Sequence, residues 1–268
     1  QEQLRRSGET GAVDSNLPYR TIYRTEYDIR EKNCKITIIV HGIKRIKEFD
    51  EFVERVKEIR EFYDIRFVPL IENTKITFGM QLNQIVNREK TDYIVVISAQ
   101  CQPLNSAWIK EMLMYAQRKD VALVAPKILF ENNTIAYAGI ALDKEKKDKI
   151  RFLCQGVSDE EQGYEAILRY VRNTTAVWRM CFMIERSKLI QLGGFVENIS
   201  GYEEIDLSLR AIECGLLNVW TCFSSLRLNE KYIVEHEKNV KAFSNRWGIK
   251  IEEGDLFYHP YWNKFKLV

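Results

Sequence analysis

Short, continuous apolar runs alternate with amphipathic stretches through the first half of this chain, and this alternation restricts the fold more than any other feature. Residues 36–40 read Ile-Thr-Ile-Ile-Val, and residues 93–97 read Tyr-Ile-Val-Val-Ile. Such runs are typical of strands covered on both faces in a parallel sheet. Between them, apolar residues recur at helical spacing over residues 49–59. This strand, helix, strand alternation predicts βαβ units, and hence an α/β fold with a mostly parallel sheet and helices on its faces.

The same two patterns predict the remaining elements. Strands are expected at 65–70, 121–124 and 177–184, and helices near 82–86, 108–115, 187–192 and 203–212. The last helix is expected to open with a capping box formed by Ser200 and Glu203. Ligands of such sheets bind outside the carboxyl ends of the strands, so we expect the chemistry just after Val40, Leu70 and Ile97.

Length and turn residues predict how the chain is divided. At roughly 150 residues per domain, 268 residues allow one large α/β domain with appendages. Residues 1–31 are polar and rich in turn residues, which favours a linker or loosely packed arm from a preceding domain. Residues 32–268 are expected to form a single domain. Because the chain begins with Gln1 rather than Met, we expect it to have been cut from a longer protein.

Charge and composition exclude several classes of partner. Forty Lys and Arg residues against 38 Asp and Glu residues give a formal net charge of +2, so no overall attraction for nucleic acid or anionic lipid is expected. No stretch approaches the roughly 18 apolar residues that a membrane span needs. The six cysteines include no Cys-x-x-Cys pair and are expected to be reduced. We therefore expect a soluble, cytoplasmic protein with no membrane span and no nucleic-acid partner.

A run of charged residues occupies positions 143–151. Such a run is typical of a solvated loop. The alternative is a mobile flap close to a bound phosphate.

Several segments, taken in order along the chain, carry a family resemblance. They are the strand at 36–40, the strand and loop at 91–104, the helix start at 106–109, the segments at 121–129 and 134–142, the Leu-Gly-Gly-Phe at 192–195 and the acidic helix at 202–210. Their order and spacing resemble those of the inverting glycosyltransferases of family 2, which share the GT-A fold. The arm, with residues 18–23 just before the first strand, resembles the joint that precedes the catalytic unit in tandem members of that family.

This resemblance implies a GT-A-like, mixed and mostly parallel sheet flanked by helices. It implies an ancestral transfer of a sugar from a nucleotide-sugar to a glycan acceptor in polysaccharide biosynthesis, and neighbouring domains in a longer parent chain. Inverting transfer needs acidic side chains that bind a divalent cation, which neutralises the diphosphate leaving group. It also needs a carboxylate base that deprotonates the acceptor hydroxyl.

At three positions the chain departs from the family pattern. Ser98 and Gln100 stand in the loop where the family has its metal-binding Asp-x-Asp, and neutral groups are poor ligands for Mg²⁺ or Mn²⁺. Where the family has an aspartate that pairs with the nucleotide base, either Glu72 and the two residues after it replace that run or the segment is shortened. Trp178 and Arg179 replace a small Thr-Gly pair beside donor and acceptor. These bulky side chains either fill the cavity or stack on a sugar and hold a phosphate.

The acidic helix start retains the resemblance. Glu204 aligns with the catalytic base of the family, and Glu203 and Asp206 lie in the same turn. Carboxylates in a first turn also stabilise a helix through its dipole without any catalytic role. His41 ends the first buried strand, where a role in the cleft and a structural turn histidine are equally consistent with the sequence.

Two hypotheses from different classes follow. The first is an active, metal-independent glycosyltransferase that uses Glu204 as base and Arg179, Lys127 or the basic loop against the diphosphate. Its partners would be a nucleotide-sugar and a glycan acceptor, with Mg²⁺ or Mn²⁺ bound only if the site is active. The second is a non-catalytic module that binds the acceptor or holds neighbouring domains, with no cofactor and no metal ligands. Loss of charge at Gln100 and bulk at Trp178 favour the second.

Overall fold

The computed structural model describes residues 2–15, 22–31, 33–71, 75–229 and 239–259. Its strands are β1 Gly11–Asp14, β2 Arg24–Tyr27, β3 Lys35–Ile43, β4 Asp64–Ile71, β5 Tyr93–Ser98, β6 Cys101–Pro103, β7 Val121–Phe130, β8 Ile135–Tyr137, β9 Ile140–Leu142, β10 Ile150–Phe152, β11 Arg172–Asn173, β12 Cys181–Glu185 and β13 Leu217–Leu228. Its α-helices are α1 Glu2–Ser7, α2 Ile46–Val56, α3 Phe78–Arg88, α4 Trp108–Ala116, α5 Arg186–Gln191, α6 Glu203–Glu213 and α7 Val240–Glu253, and 3₁₀ turns lie at Lys57–Glu61 and Tyr164–Ala166.

A mixed sheet organises the fold. The strand order is β11-β13-β7-β12-β5-β3-β4, with β6 paired to β13 and β8 paired to β7. The pairs β3/β4, β3/β5 and β7/β13 are parallel, whereas β12 runs antiparallel between β5 and β7. The predicted mixed sheet flanked by helices is therefore confirmed, with the five strands β3, β4, β5, β7 and β13 pointing the same way.

Burial explains why the apolar runs form central strands. Ile38, Ile39, Val95 and Val96 have no exposed surface, as expected for strands covered on both faces. The amphipathic stretch after β3 becomes α2, which buries Phe52 against the sheet. The helix α3 begins directly after Thr77, whose hydroxyl accepts a hydrogen bond from the amide of Met80, a regular N-cap.

Two local predictions were wrong. The strand expected over 177–184 begins only at Cys181, because the Cys181 amide donates to the carbonyl of Trp178 and closes a turn. The capping box is absent: α6 begins at Glu203, and its N-cap residue Tyr202 makes no side-chain cap hydrogen bond. The Glu203 carboxylate accepts from the Gly201 amide at 2.9 Å and turns towards the sheet.

The described part of the polar arm packs on the domain. β1 and β2 form an antiparallel hairpin. The hydroxyl of Tyr115 on α4 donates to the Thr25 carbonyl at 3.0 Å, and the side-chain amide of Gln117 donates to the Asp28 carbonyl at 2.7 Å. The Arg24 guanidinium lies 4.0 Å from the centre of the Phe223 ring on β13. Residues 22–31 are thereby fixed against α4 and the sheet.

The charge run joins β9 and β10, which pair as an antiparallel hairpin. The Tyr202 hydroxyl, just before α6, donates to the Asp148 carbonyl at 2.8 Å. The Lys144 ammonium lies 3.6 Å from the Glu252 carboxylate on α7. The connection is therefore anchored at two points. Throughout the described ranges, no helix combines the length and the apolar character needed to cross a bilayer.

Candidate functional site

The candidate crevice lies at the carboxyl ends of β3 and β5, beside the starts of β12 and α6. His41 on β3 stands opposite Ser98 on β5 in the parallel register. At Gly42, with φ of 70°, β3 leaves the extended conformation, which favours a residue without a Cβ. The Gln100 side-chain amide donates to the Gly42 carbonyl at 3.4 Å, and the Gln100 backbone amide donates to the Ser98 hydroxyl at 3.2 Å. Sequence analysis therefore identified residues that the fold does bring together.

Arg179 forms a buried charge cluster with Glu203 and Glu204 beside these residues. Its guanidinium Nη2 lies 2.6 Å from Oε2 of Glu203, and its Nε lies 3.5 Å from Oε2 of Glu204. The three side chains are 6%, 1% and 3% exposed. The guanidinium thus contacts both carboxylates inside the protein and offsets one of their two negative charges.

Both oxygens of Glu204 face Arg179. Oε2 lies beside the guanidinium, and Oε1 accepts from the Arg179 backbone amide at 3.3 Å. The Glu204 carbonyl accepts from the Ser208 hydroxyl at 2.7 Å, so the first turn of α6 is fixed as well. A general base must reach the proton that it removes. In this arrangement Glu204 is directed into the protein and towards a cation.

Glu203 has a satisfied and an unsatisfied oxygen. Oε2 accepts from Arg179 and from the Gly201 amide, whereas Oε1 is buried with no hydrogen-bond partner among the described residues. Burial raises the pKa of Glu203, and the Arg179 charge opposes that rise. For Arg179, burial favours the neutral form, but Glu204 and Glu203 outweigh it and raise the pKa of the guanidinium. Arg179 and Glu203 therefore each favour the charged form of the other.

Phe78 closes the crevice from the side of α3. The Arg179 guanidinium lies 4.6 Å from the centre of its ring, and the His41 ring meets it edge-on at 5.2 Å. The Nε2 atom of His41 lies 2.9 Å from the Arg179 carbonyl. Sequence analysis missed Phe78, although its position four residues before Leu82 on the apolar face of α3 was a usable signal.

Asp206 belongs to a different contact. It is fully buried, and its Oδ2 accepts from Nε of Arg210 at 2.7 Å. Its Oδ1 accepts from the Trp247 indole at 3.0 Å and lies 2.8 Å from Nε of Arg246. These partners join α6 to α7, so Asp206 holds the helix that presents Glu203 and Glu204.

Trp178 points into an aromatic cluster. Its ring meets Phe152 edge-on at 5.0 Å and lies 6.1 Å from Tyr137, measured between ring centres. The side chain is half-buried. Trp178 therefore contacts the β9–β10 hairpin through Phe152, and the next residue in the chain, Arg179, lies in the crevice.

Two further candidates lie elsewhere. Lys127 is buried, and its ammonium lies 2.6 Å from Oδ1 of Asp159, which already supplies its counter-charge. Glu72 falls outside the residues that the structure describes.

The crevice residues do not fit a divalent metal. Hard cations prefer several carboxylate or carbonyl oxygens, whereas Ser98 and Gln100 are neutral and Glu203 and Glu204 are paired with a guanidinium. Within the ranges that the structure covers, no group of three or more His, Cys, Asp or Glu side chains is arranged to hold a metal ion.

Curated relatives of this chain are distant. No protein-family model matches it. An uncharacterized protein, y4gI, from Sinorhizobium fredii is 26% identical over 190 residues, covering 66% of this chain. The O-antigen biosynthesis protein RfbC of Myxococcus xanthus is 24% identical over an alignment of 298 residues, covering 97% of this chain. The chain spans only 21% and 22% of the length of these two relatives.

A solved structure supports the fold. The crystal structure of GalNAc-T7 with UDP, GalNAc and Mn²⁺ is similar with a TM-score of 0.51 and 12% identity, covering 75% of this chain and 44% of that chain. At this identity the likeness concerns the fold alone. The expected fold class is confirmed: the chain has the mixed α/β fold of GT-A glycosyltransferases.

Proposed function

We propose that this chain is a family 2-like glycosyltransferase domain of a longer protein that builds a polysaccharide, and that it serves as a non-catalytic, acceptor-binding module. The likeness to an O-antigen biosynthesis protein over nearly the whole chain supports a role in polysaccharide assembly. The GT-A fold supports an ancestral nucleotide-sugar donor.

One observation carries the non-catalytic half of the proposal. The Arg179 guanidinium, 6% exposed, is bound between Glu203 and Glu204 at the position where the family resemblance implies a small residue beside the donor. A buried pair of this kind is costly to break, at about 3–5 kcal/mol when one partner is lost. A nucleotide diphosphate would have to displace it, and Ser98 and Gln100 supply no charge for a compensating cation.

The acceptor-side chemistry is affected in the same way. An inverting transfer requires a carboxylate that accepts the proton of the acceptor hydroxyl. Glu204 directs both oxygens to Arg179, so its carboxylate is engaged by the guanidinium and the backbone amide of that residue and does not face an acceptor hydroxyl. In a metal-independent transferase, Arg179 would have to move away from Glu204 when donor and acceptor bind.

Donor binding provides the test. The wild-type domain is mixed with UDP-, GDP-, CDP- and dTDP-sugars, with and without Mn²⁺, and its melting temperature and sugar release are followed. A donor present at 100 times its Kd would add about 2.7 kcal/mol, which is roughly 5–10 °C for a domain of this size. We expect no shift and no release.

A matched variant makes the result decisive. Glu204→Gln removes the candidate base and leaves a side chain of nearly the same size. A saturable shift with any donor, together with sugar release that is lost in Glu204→Gln, would contradict the proposal. It would instead support the active, metal-independent transferase.

A further inference from the structure

A large open cleft lies beside the candidate crevice. Its volume is about 1260 Å³, and it runs between the β9–β10 hairpin and the loop at 153–164. Pockets for small ligands usually measure about 300–1,000 Å³. The cleft is therefore large enough for an extended ligand.

The side chains along this cleft are those that suit a sugar chain. Two aromatic rings are accompanied by planar amides and carboxylates: Phe152, Tyr164, Gln155, Gln162, Glu160 and Glu161. An aromatic ring offers an apolar, electron-rich face, on which the C–H face of a pyranose can pack. Side-chain amides donate to and accept from neighbouring hydroxyl groups in one plane, and carboxylates accept from them. This combination favours a hydroxyl-rich, partly apolar ligand over a simple anion.

Charge narrows the ligand class further. The cleft is lined by three carboxylates, those of Asp148, Glu160 and Glu161, and by two cations, Lys146 and Arg151. Arg151 already donates to the Asp143 carboxylate, with its Nε 2.8 Å from Oδ2. The lining side chains therefore carry more negative than positive charge. This charge disfavours phosphate-rich or uronic-acid-rich chains and is compatible with neutral sugars.

The backbone around the cleft is held in unusual conformations. Lys149, Cys154 and Glu165 have φ values of 62°, 55° and 50°. Left-handed conformations are disfavoured for side chains that carry a Cβ, and such outliers concentrate at functional sites. Cys154 lines the cleft, and Lys149 and Glu165 are chain neighbours of lining residues, so the backbone is strained at these points along its walls.

The cleft also adjoins the residues of the crevice. Phe152 on its wall packs edge-on against Trp178, whose neighbour Arg179 binds Glu203 and Glu204. The Tyr202 hydroxyl, just before α6, donates to the Asp148 carbonyl on the same hairpin. The hairpin wall of the cleft is therefore in contact with the segment that leads into α6.

We propose that this cleft binds an uncharged oligosaccharide segment of the polysaccharide that the parent protein builds. This inference rests on the proposed function, because it supplies the acceptor site of a module without donor chemistry. It assigns recognition to exposed side chains of the hairpin and loop, none of which belongs to the Arg179 cluster.

The test is binding of the wild-type chain to immobilised bacterial surface polysaccharides and their oligosaccharide fragments, both neutral and acidic, followed by calorimetry with the best soluble fragment. We expect at least one neutral oligosaccharide to bind. The double variant Gln155→Ala/Gln162→Ala should bind it about tenfold more weakly. Both amides are exposed, so this variant is expected to fold, and an unchanged melting temperature verifies that. Phe62→Ala, at an exposed aromatic residue outside the cleft lining, is the matched control and should bind like wild type.

Each other outcome would overturn the inference. These outcomes are no binding to any neutral chain, preferential binding of acidic chains, or binding that the amide variant leaves unchanged. Failure here would remove the acceptor-binding half of the proposed function and leave its non-catalytic half, which the donor experiment tests separately. Donor turnover combined with glycan binding in the cleft would contradict the proposed function alone.

Discussion

Replacement of Arg179 by alanine removes the only cation that contacts both Glu203 and Glu204 within the described residues. The two carboxylates stay buried on α6, and Phe78 loses the guanidinium that lies 4.6 Å from its ring centre. The variant therefore leaves two like charges in a site from which water is excluded. We expect a large loss of stability without a change of fold.

The magnitude follows from burial. Removing one partner of a buried ion pair costs about 3–5 kcal/mol, because the remaining charge is left uncompensated. The exposures of 6%, 1% and 3% place Arg179, Glu203 and Glu204 in this class. For a domain of this size, each kcal/mol lowers the melting temperature by about 2–4 °C, so a decrease of roughly 10 °C is expected.

The loss should depend on pH in a defined direction. Burial raises the pKa of Glu203 and the Arg179 charge opposes this rise, so the variant raises that pKa further. A carboxyl whose pKa is raised on folding contributes stability that is complete below its unfolded pKa and is lost as the pH rises through its folded pKa. The deficit of Arg179→Ala should thus be largest above pH 7 and should shrink towards about pH 5.

Urea unfolding at pH 5, 6, 7 and 8 measures this deficit. Arg45→Ala, which removes an 80%-exposed arginine paired with Glu48, is the control and should cost under about 1 kcal/mol at every pH. The triple variant Arg179→Ala/Glu203→Gln/Glu204→Gln should recover part of the loss and should abolish its pH dependence. A deficit below 1 kcal/mol, or one independent of pH, would refute the ion-pair reasoning.

Three further predictions concern the packing around the site. Asp206→Asn should destabilise the domain by about 3 kcal/mol. Amide exchange in α7 should accelerate, because the Arg246 ion pair that joins α6 to α7 is lost together with the Arg210 ion pair within α6, and only the Trp247 contact can persist; unchanged exchange in α7 would contradict this. Gly79→Ala places a Cβ 2.9 Å from the Val196 carbonyl oxygen and should cost about 1–3 kcal/mol by urea unfolding, whereas a neutral effect would mean that α3 can move away. A thiol reagent should label Cys214 alone in the native protein and six cysteines after denaturation. The other five are buried, and burial raises the pKa of their thiols. Rapid labelling of a second thiol would show that the core opens.

The central sheet was predictable because its signal is local. Continuous β-branched runs at 36–40 and 93–97 permit little other than buried strands, and both formed. The strand predicted at 121–124 extends to Phe130: Pro126 and Lys127 interrupt the apolar pattern, and the pairing with β13 continues beyond them after a register shift between Thr221 and Ser225. The charge run carried no strand signal, although short strands flank it as β9 and β10.

The arrangement in the crevice was predictable only in part. The fold does place His41 opposite Ser98, as the strand ends suggested. The pairing of Arg179 with the two glutamates joins residues 24 and 25 positions apart, so no local periodicity reports it. The sequence left open whether Arg179 blocks the crevice or binds a phosphate, and only its side-chain partners distinguish the two.

Binding of Mn²⁺ in the presence of a nucleotide-sugar tests the central claim most directly, because a guanidinium and a divalent cation would compete for the same two carboxylates. Electron paramagnetic resonance of Mn²⁺ distinguishes the free from the bound ion for wild type and for Arg179→Ala. The account predicts that wild type binds no ion with any donor sugar, and that Arg179→Ala, with both carboxylates released, gains affinity for one. A stoichiometric Mn²⁺ in wild type that is lost in Glu204→Gln would contradict it.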